Sequence, residues 1–391
     1  VPSSPMEALK KRASRLLAPY VTCAVLCSMG KGIRLALMNG VSKSWKAVAG
    51  SFVSALYGSG SPKDPSGDIS SFGAIWFLLA LFWALTMYDA ICDKRWRTLA
   101  AIALFAIGVA TRSWWLPLSI QPGMCAVLFL HIGHVARERF PESLGRGKVP
   151  LPLAICALTI WAVGFYCSDK HMSMVRCYFP CVPLDLVRAL SGSLVVLWLS
   201  GLIERVPLLS DGLEAYGRNT LTVLCFHMFD LRVIPWKALG NALGLVGGTW
   251  DEWGRKALIF GFKVSWSVLG VVVVGAIRRM SSSTLAQPAT QKPRIRPYDI
   301  AKGIAILLVV AAHQESMDPL FRRLVFSFHM PFFFLANALF VDKDYDVRRT
   351  FIRSLRTLAL PYAAVCLLQV LLKGMLTPEH TKLAMLQRRP H

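Results

Sequence analysis

The chain has 391 residues, of which 54% are hydrophobic and 17% charged, and its mean hydropathy is +0.48. An ordinary soluble domain carries about 25% charged residues, so this composition excludes a typical water-soluble domain. The formal net charge of +22 arises from short basic clusters between long apolar runs, which favours membrane topology over a nucleic-acid groove. We therefore predict an all-α, polytopic transmembrane helix bundle that lies in a lipid bilayer, with no nucleic-acid partner.

Eleven apolar segments follow one another along the chain, and about ten or eleven membrane segments are expected. A helix needs roughly 20 apolar residues to cross a bilayer directly, and several segments are shorter. These helices must therefore extend into flanking polar residues, or their ends must be covered by neighbouring helices. The segments are Leu16–Met29, Phe72–Cys92, Leu99–Ala110, Leu116–Ala136, Val149–Cys167, Arg188–Ile203, Asn219–Trp236, Ala257–Ile277, Ile300–His313, Leu324–Val341 and Thr357–Leu372.

The stretches between these segments differ in basic content. Lys and Arg are more frequent in the alternate set that includes Asp93–Thr98, Arg137–Lys148 and Glu204–Arg218, which we interpret as loops. Because basic loops stay on the cytoplasmic side, this set is predicted to face the cytoplasm. The expected localisation is a multi-pass position in a cell membrane, specifically a bacterial cytoplasmic membrane.

A linker and a long-range repeat divide the chain. Ser281–Pro297 lacks periodicity and is rich in Ser, Pro and basic residues, as linkers are. Leu16–Gly32 resembles Leu358–Gly374 at an offset of 342 residues, which indicates a domain duplication. We predict the back part of one membrane domain at residues 1–280, a linker at 281–297, and the front part of a second copy at 298–391.

The strongest local signal follows the linker. Residues 297–313 read PYDIAKGIAILLVVAAH, and residues 326–340 read FSFHMPFFFLANALF. These segments resemble the membrane-bound acyltransferase 3 family, especially its fucose-O-acetylase-like branch, in which an Asp-x-x-Lys-Gly helix ends in His and a Phe-His-Met-Pro-x-Phe-Phe motif follows. The positions on this pattern are Asp299, Lys302, Gly303, His313, Phe328, His329, Met330, Pro331, Phe333 and Phe334.

Weaker matches to later segments of the family occur earlier in this chain. They are Pro19–Tyr20, Trp76–Leu78, and the set Gly217, Asn219, Thr220, Leu221 and His227. In the family the two His-bearing helices come first, whereas here they follow the other helices. The resemblance therefore implies either a fragment of a tandem protein or a circular permutant. In a permutant, residues 300–341 would pack against residues 16–277, and Thr357–Leu372 would be surplus.

The spacing of Lys302 and His313 places both on nearly one helical face. They are eleven residues apart, which corresponds to about 20° and about 16 Å along a helix axis. Ionisable groups at membrane depth are costly unless they face a bundle interior, so both are candidate functional residues. Lys302 can meet the phosphates of an acyl-CoA, and His313 can take a proton from an acceptor hydroxyl. Asp299, three residues before Lys302, can form an ion pair that orients it.

The resemblance implies the reaction. Members of the family are O-acyltransferases that usually take acetyl-CoA as co-substrate and acylate a cell-surface carbohydrate, so no bound cofactor is expected and the acceptor is a carbohydrate or glycolipid. His313 and His329 are the implied catalytic pair, and Lys302 with Asp299 the donor-binding pair. His329 can hold His313 or the acceptor, or it can satisfy backbone groups freed by Pro331.

Other polar residues inside apolar segments have weaker signals. Asn337 stands where the family usually has Gly, which can remodel the acceptor pocket or mark a degenerate copy, and Lys263 can contact an anionic group. His131 and His134 share one helical face without an evident third ligand, so a structural role is favoured and no metal is expected. Arg188, near a segment end, is expected to snorkel. The candidates for the acceptor pocket or its support are His227, Asn219, Asn337 and Lys263.

Two other interpretations stay open. The chain can be a membrane binding or transport module that keeps the acyltransferase architecture without transfer, which the Asn337 departure and the changed helix order favour. It can also be an inactive fragment of a tandem protein. Acyl transfer or acyl-CoA hydrolysis by the purified protein separates an enzyme from both.

Overall fold

A computed structural model describes residues 57, 60, 76–167, 172–233, 252–282, 294–314 and 317–338. The predicted segments Leu16–Met29 and Thr357–Leu372, and the repeat that relates them, lie outside these residues. Within the described residues the regular structure is helical, apart from one isolated bridge between Ser173 and Tyr178. The predicted all-α class is therefore confirmed for this part of the chain.

The described helices coincide with the predicted apolar segments at nine places, with shifts of a few residues at their ends. The described helices are α1 Trp76–Ile91, α2 Arg97–Ala110, α3 Ile120–Arg139, α4 Leu151–Tyr166, α5 Val182–Ile203, α6 Pro207–Arg218, α7 Thr220–Val233, α8 Glu252–Ser282, α9 Arg296–Ala312, α10 Pro319–Phe326 and α11 His329–Ala338. Short 3-10 turns occur at Thr111–Ser113, Leu144–Arg146 and Met174–Arg176.

Two differences from the sequence prediction concern α6 and the final described helices. The stretch Glu204–Arg218, predicted as a loop, contains α6, which starts with Pro207 and buries only one face, including Leu213 and Tyr216. The predicted segment Leu324–Val341 is broken between α10 and α11. Pro331 lacks the N–H that would continue the hydrogen-bond ladder across this break.

The helix α9 is central to the bundle and packs against α5, α6, α7, α8 and α11. Its contact with α6 is close because two glycines lie at the crossing. A Cβ at Gly303 would overlap the carbonyl group of Leu213, and a Cβ at Gly217 would overlap that of Asp299. The absence of side chains at these two positions lets the backbones of α6 and α9 touch.

The helix α11 packs against α3, α5 and α9. The ring of Phe77 on α1 lies 5.1 Å from that of Phe334 and 5.8 Å from that of Phe333. Residues 296–338 thus pack among the helices of residues 76–282, as a single bundle requires. The permuted order and the domain boundaries stay predictions.

Two described helices are long and apolar enough to cross a bilayer, judged by length and composition alone: Val182–Ile203 and the Trp253–Ala276 portion of α8. The helices Trp76–Ile91 and Leu151–Tyr166 are apolar but shorter. Large apolar side chains on α2, α4 and α8 are exposed, including Leu99, Ile155 and Val272. The number of membrane segments beyond these stays a prediction.

Candidate functional site

His313 and His227 meet across the interface of α9 and α7. His313 follows the last residue of α9, and His227 lies in the middle of α7. Their ring centroids are 5.3 Å apart, with an angle of 72° between the ring planes. His227 is fully buried, whereas His313 is partly buried. The fold thus brings together two histidines that the sequence analysis selected from separate motifs.

The hydrogen bond of the His313 ring fixes its neutral tautomer. Nδ1 lies 2.9 Å from the carbonyl oxygen of Val309, one turn earlier on α9. Because a carbonyl oxygen only accepts, Nδ1 must carry the hydrogen. In neutral His313 the nitrogen with a lone pair is therefore Nε2, and a general base needs such a nitrogen.

His329 and His313 contact the same aromatic ring, that of Phe326. Phe326 is 5.5 Å from His313 and 5.0 Å from His329, measured between ring centroids. His329 is buried, and its Nδ1 donates to the carbonyl oxygen of Val325 at 2.9 Å. The His329 ring therefore bonds a backbone carbonyl at the break before α11, although this carbonyl is not that of Ser327, which Pro331 leaves without its helical donor.

The predicted ion pair between Asp299 and Lys302 is present. Lys302 Nζ lies 2.6 Å from Asp299 Oδ1, near the start of α9. Two more cations approach the other carboxylate oxygen, because Arg218 Nε and Arg294 Nη1 each lie 3.7 Å from Asp299 Oδ2. Asp299 is buried, whereas Lys302 is partly exposed. Asp299 thus lies among three cations, one of which, Arg218, is also paired with Glu214, and such a concentration of cations favours phosphates.

The sequence analysis missed Arg218 and Arg294 because it placed both in connecting stretches. Arg218 ends α6, and Arg294 lies two residues before α9, at the end of the predicted linker. The guanidinium of Arg218 reaches Asp299 through the packing of α6 on α9, whereas that of Arg294 reaches it from the residues just before α9. The adjacent motif residue Gly217 was a usable signal, since its lack of a side chain permits that packing.

The cation cluster and the histidines occupy opposite ends of α9. Eleven residues along a helix correspond to about 16 Å, so Lys302 and His313 do not form a single contact. An extended donor such as an acyl-CoA would have to span this distance between its phosphates and its thioester.

Lys263 is a buried cation on α8. It is 3% exposed, and its carbonyl oxygen accepts from Ser267 Oγ. Two hydrogen bonds tie α8 to the helices that carry the histidines: Trp266 Nε1 to the Phe226 carbonyl oxygen at 3.1 Å, and Gln314 Nε2 to the Lys256 carbonyl oxygen at 3.0 Å. Lys263 lies between these two contacts along α8.

The two predicted asparagines bond to their own helices. Asn219 joins α6 to α7, and its Nδ2 donates to the Ala215 carbonyl oxygen at 2.9 Å. It precedes His227 by eight residues, about 12 Å along a helix, so it is not beside the histidines. Asn337 donates to the Phe333 carbonyl oxygen at 2.7 Å on α11. Both geometries are those of supporting residues.

His131 and His134 belong to a separate polar network between α1 and α3. The hydroxyl of Tyr88 lies 3.3 Å from His131 Nδ1 and 2.9 Å from His134 Nδ1. Glu138 then links His134 to Arg97, and this pairing raises the pKa of Arg97. Both imidazoles are buried, and no metal-ligating cluster occurs in the part of the chain that the structure describes. These contacts fit the structural role expected for the two histidines.

The expectation that Arg188 snorkels is wrong. Its side chain is 1% exposed and is among the largest fully buried side chains of the described residues. Arg188 lies on the second turn of α5, where Gly164 of α4 leaves room for its aliphatic part. The helix packing, which the sequence analysis did not consider, encloses this guanidinium.

Comparison with known families bears on the segment that carries α9, α10 and α11. The sequence model of a family described as "Acyltransferase domain" matches residues 297–386, less than a quarter of the chain. The matched segment contains Asp299, Lys302, His313 and His329. The resemblance to the acyltransferase 3 family is thereby confirmed for these residues. Searches among curated proteins and among solved structures gave no match.

Proposed function

We propose that this protein is an integral-membrane O-acyltransferase that transfers an acetyl group from acetyl-CoA to a hydroxyl of a cell-surface carbohydrate. The observation that carries the proposal is the His313 ring, held by Val309 in the tautomer that leaves the lone pair on Nε2. His313 lies in the segment that matches the acyltransferase domain. His227 and Phe326 pack against the same ring.

The reaction requires one proton transfer and one exchange of bonds at the acyl carbon. Nε2 of His313 takes the proton of the acceptor hydroxyl, and the hydroxyl oxygen attacks the thioester carbonyl carbon. The carbon–sulfur bond breaks, and the CoA thiolate leaves with the proton returned from His313. The products are an O-acetyl ester and CoA. A base positioned in this way contributes about 10²- to 10⁴-fold in rate.

The donor would lie along α9. Its phosphates would bind near Lys302, Arg218 and Arg294, around the buried carboxylate of Asp299. Its thioester would then reach the histidines at the far end of the helix. This assignment uses the separation of about 16 Å along α9, which an extended acyl-CoA can span.

The proposed membrane location rests on two apolar helices of sufficient length and on exposed apolar side chains. α4 buries only Ala154, Ala157 and Gly164, so most of its apolar surface faces outward. An apolar surface of this kind needs lipid or a partner to cover it. A bilayer supplies that cover for several helices at once.

The test is transfer of label from radiolabelled acetyl-CoA into a membrane glycan fraction. The parent chain is compared with His313→Ala and with Tyr166→Ala, a control at an exposed position of α4, at matched membrane expression. We expect label with the parent and the control, and a loss of about 10²-fold or more with His313→Ala.

Normal transfer by a folded His313→Ala protein would show that His313 is not the base. Release of CoA by the parent in the absence of acceptor separates an enzyme from a binding or transport module. If the purified parent neither transfers the acetyl group nor releases CoA, the noncatalytic and fragment interpretations replace the proposed function.

A further inference from the structure

Arg188 is a buried cation whose N–H donors find no hydrogen-bond acceptor in the part of the chain that the structure describes. Its Nε, Nη1 and Nη2 atoms are buried and have no hydrogen-bond partner among the described residues. A guanidinium carries five N–H donors, and burying them without acceptors is costly. Arg188 is therefore either a source of instability or part of a site whose ligand supplies the acceptors.

The nearby carboxylate accounts for only part of this charge. Asp185 Oδ1 lies 3.6 Å from Arg188 Nη1, beyond hydrogen-bond distance. The other carboxylate oxygen, Oδ2, accepts from the backbone N–H of Cys181 at 3.0 Å. The ion pair thus lacks the bidentate geometry that an arginine and a carboxylate adopt when each satisfies the other.

A second arginine adds to the positive charge. Arg323 of α10 lies near Arg188, because its Nη2 is 3.5 Å from the carbonyl oxygen of Phe165, the residue after Gly164, and Gly164 packs on Arg188; the two like charges repel each other. Arg323 is partly exposed, and its guanidinium carbon lies 4.2 Å from the ring centre of Phe165. The preceding residue, Arg322, donates to the carbonyl oxygens of Ala312 and Gln314, on either side of His313.

Continuous packing connects Arg188 with the segment just before His329. One turn along α5, Gly192 contacts Phe328, the residue before His329. On α4, Gly164 contacts Arg188. One turn earlier, Trp161 meets Phe328 edge to face, with 5.4 Å between the ring centroids, and its Nε1 donates to Ser327 Oγ. Arg188 and the residues just before His329 therefore belong to one packed interface between α4, α5 and the start of α11.

We propose that Arg188, with Arg323, binds an oxyanion of the acceptor, a carboxylate or a phosphate, and so selects an acidic acceptor for the reaction. The inference rests on the proposed function for its claim that the anion belongs to the acceptor. A carboxylate or phosphate presents several oxygens in the geometry that a guanidinium fork matches. Bound there, it would supply acceptors for Arg188 and offset the repulsion between the two arginines.

The first test measures binding without catalysis. The thermal unfolding midpoint of the purified full chain in detergent is recorded with sodium glucuronate, inorganic phosphate, glucose, and sodium chloride at equal ionic strength. We expect glucuronate or phosphate to raise the midpoint of the parent, with no rise for glucose or chloride. If glucuronate raises the midpoint at the lower concentration, the anion belongs to an acidic sugar. If phosphate does so, the anion belongs to a phosphorylated acceptor.

The variants assign the effect to Arg188. Arg188→Gln is expected to raise the half-maximal anion concentration about tenfold or more, because charged hydrogen bonds are lost. Arg112→Gln, at an exposed position, is the control and should behave as the parent. If Arg188→Gln does not fold, Arg188→Lys is used instead, because it keeps the positive charge but lacks the paired N–H donors of a guanidinium, and it should weaken anion binding. Arg323→Gln should also weaken anion binding. An anion response that is absent in the parent, or equal in all variants, overturns the proposal.

The second test separates this inference from the proposed function. The acceptors are a uronic-acid-containing oligosaccharide, a phosphorylated oligosaccharide, and their matched neutral oligosaccharide, with labelled acetyl-CoA as donor. We expect an acidic acceptor to have a kcat/KM about tenfold above that of the neutral one in the parent, and the ratio of the two values to fall toward one in Arg188→Gln. Equal transfer to all acceptors overturns the inference and leaves the proposed function intact. Anion binding at Arg188 without any transfer by the parent supports the site and contradicts the proposed function.

Discussion

His227 stands edge to face against His313, with 5.3 Å between the ring centroids. This contact joins the middle of α7 to the end of α9 and limits how the His313 ring can move. The hydrogen bond from Nδ1 of His313 to Val309 fixes the same ring from its own helix. Together they orient Nε2 of His313.

Replacing His227 separates packing from polar chemistry. We expect His227→Phe to keep most transfer activity, because an aromatic edge-to-face contact remains, and His227→Ala to lower kcat about 2- to 10-fold, in line with the energy of such contacts. The measurement is initial-rate kinetics of acetyl transfer in membranes at matched expression. A His227→Phe protein as impaired as His227→Ala would instead assign a polar role to the imidazole.

Removing the charge of Lys302 should affect donor binding more than chemistry. Because Lys302 lies at the opposite end of α9 from His313, we expect Lys302→Met to raise the KM for acetyl-CoA about tenfold with a smaller change in kcat. Arg146→Gln, which removes an exposed cation paired with Glu142, is the control and should leave KM unchanged. A fall in kcat alone would contradict a donor-binding role for Lys302.

Two glycines of the α6–α9 region should respond oppositely to alanine. Gly303→Ala places a Cβ against the carbonyl group of Leu213, and we expect it to lower the free energy of unfolding by about 1–3 kcal/mol. Gly212→Ala is the matched control, since nothing lies within 4 Å of its added Cβ, and it should stabilise α6 by about 0.5–1 kcal/mol. Thermal unfolding in detergent measures both, and equal responses would contradict the close crossing.

The network around Tyr88 should be structural. Tyr88→Phe removes the hydroxyl that contacts both His131 and His134, and we expect a loss of about 1–3 kcal/mol in the free energy of unfolding. Its kcat and its KM for acetyl-CoA should stay unchanged in protein that remains folded. Thr98→Val, which removes the hydroxyl 3.0 Å from His131 Nε2, should destabilise in the same way. A selective loss of transfer in either variant would make this network part of the site.

The sequence predicted local relationships well. Nine of the apolar runs coincide with described helices, since burial or lipid contact requires such runs whatever the neighbours are. The pair Asp299–Lys302 was predictable because residues three apart on a helix are adjacent. The eleven-residue spacing of Lys302 and His313 likewise identified both ends of α9 as candidate sites.

The sequence failed where an outcome depended on packing between helices. The amphipathic α6 was interpreted as a loop because its polar face resembles a connecting stretch, and its apolar face is recognisable only beside α9. The break between α10 and α11 was missed because the aromatic run continues across it. Only Pro331 signalled that the hydrogen-bond ladder would be interrupted there.

By itself, the sequence determined an all-helical, apolar chain and the identity of the residues able to carry charge or protons within it. The tertiary structure decided which of them meet. It placed His227 against His313, gathered Arg218 and Arg294 at Asp299, and enclosed Arg188 between α4 and α5. Periodicity fixes which residues share a face of one helix, whereas contacts between helices depend on which faces pack together, and that is set by the shape of the whole bundle.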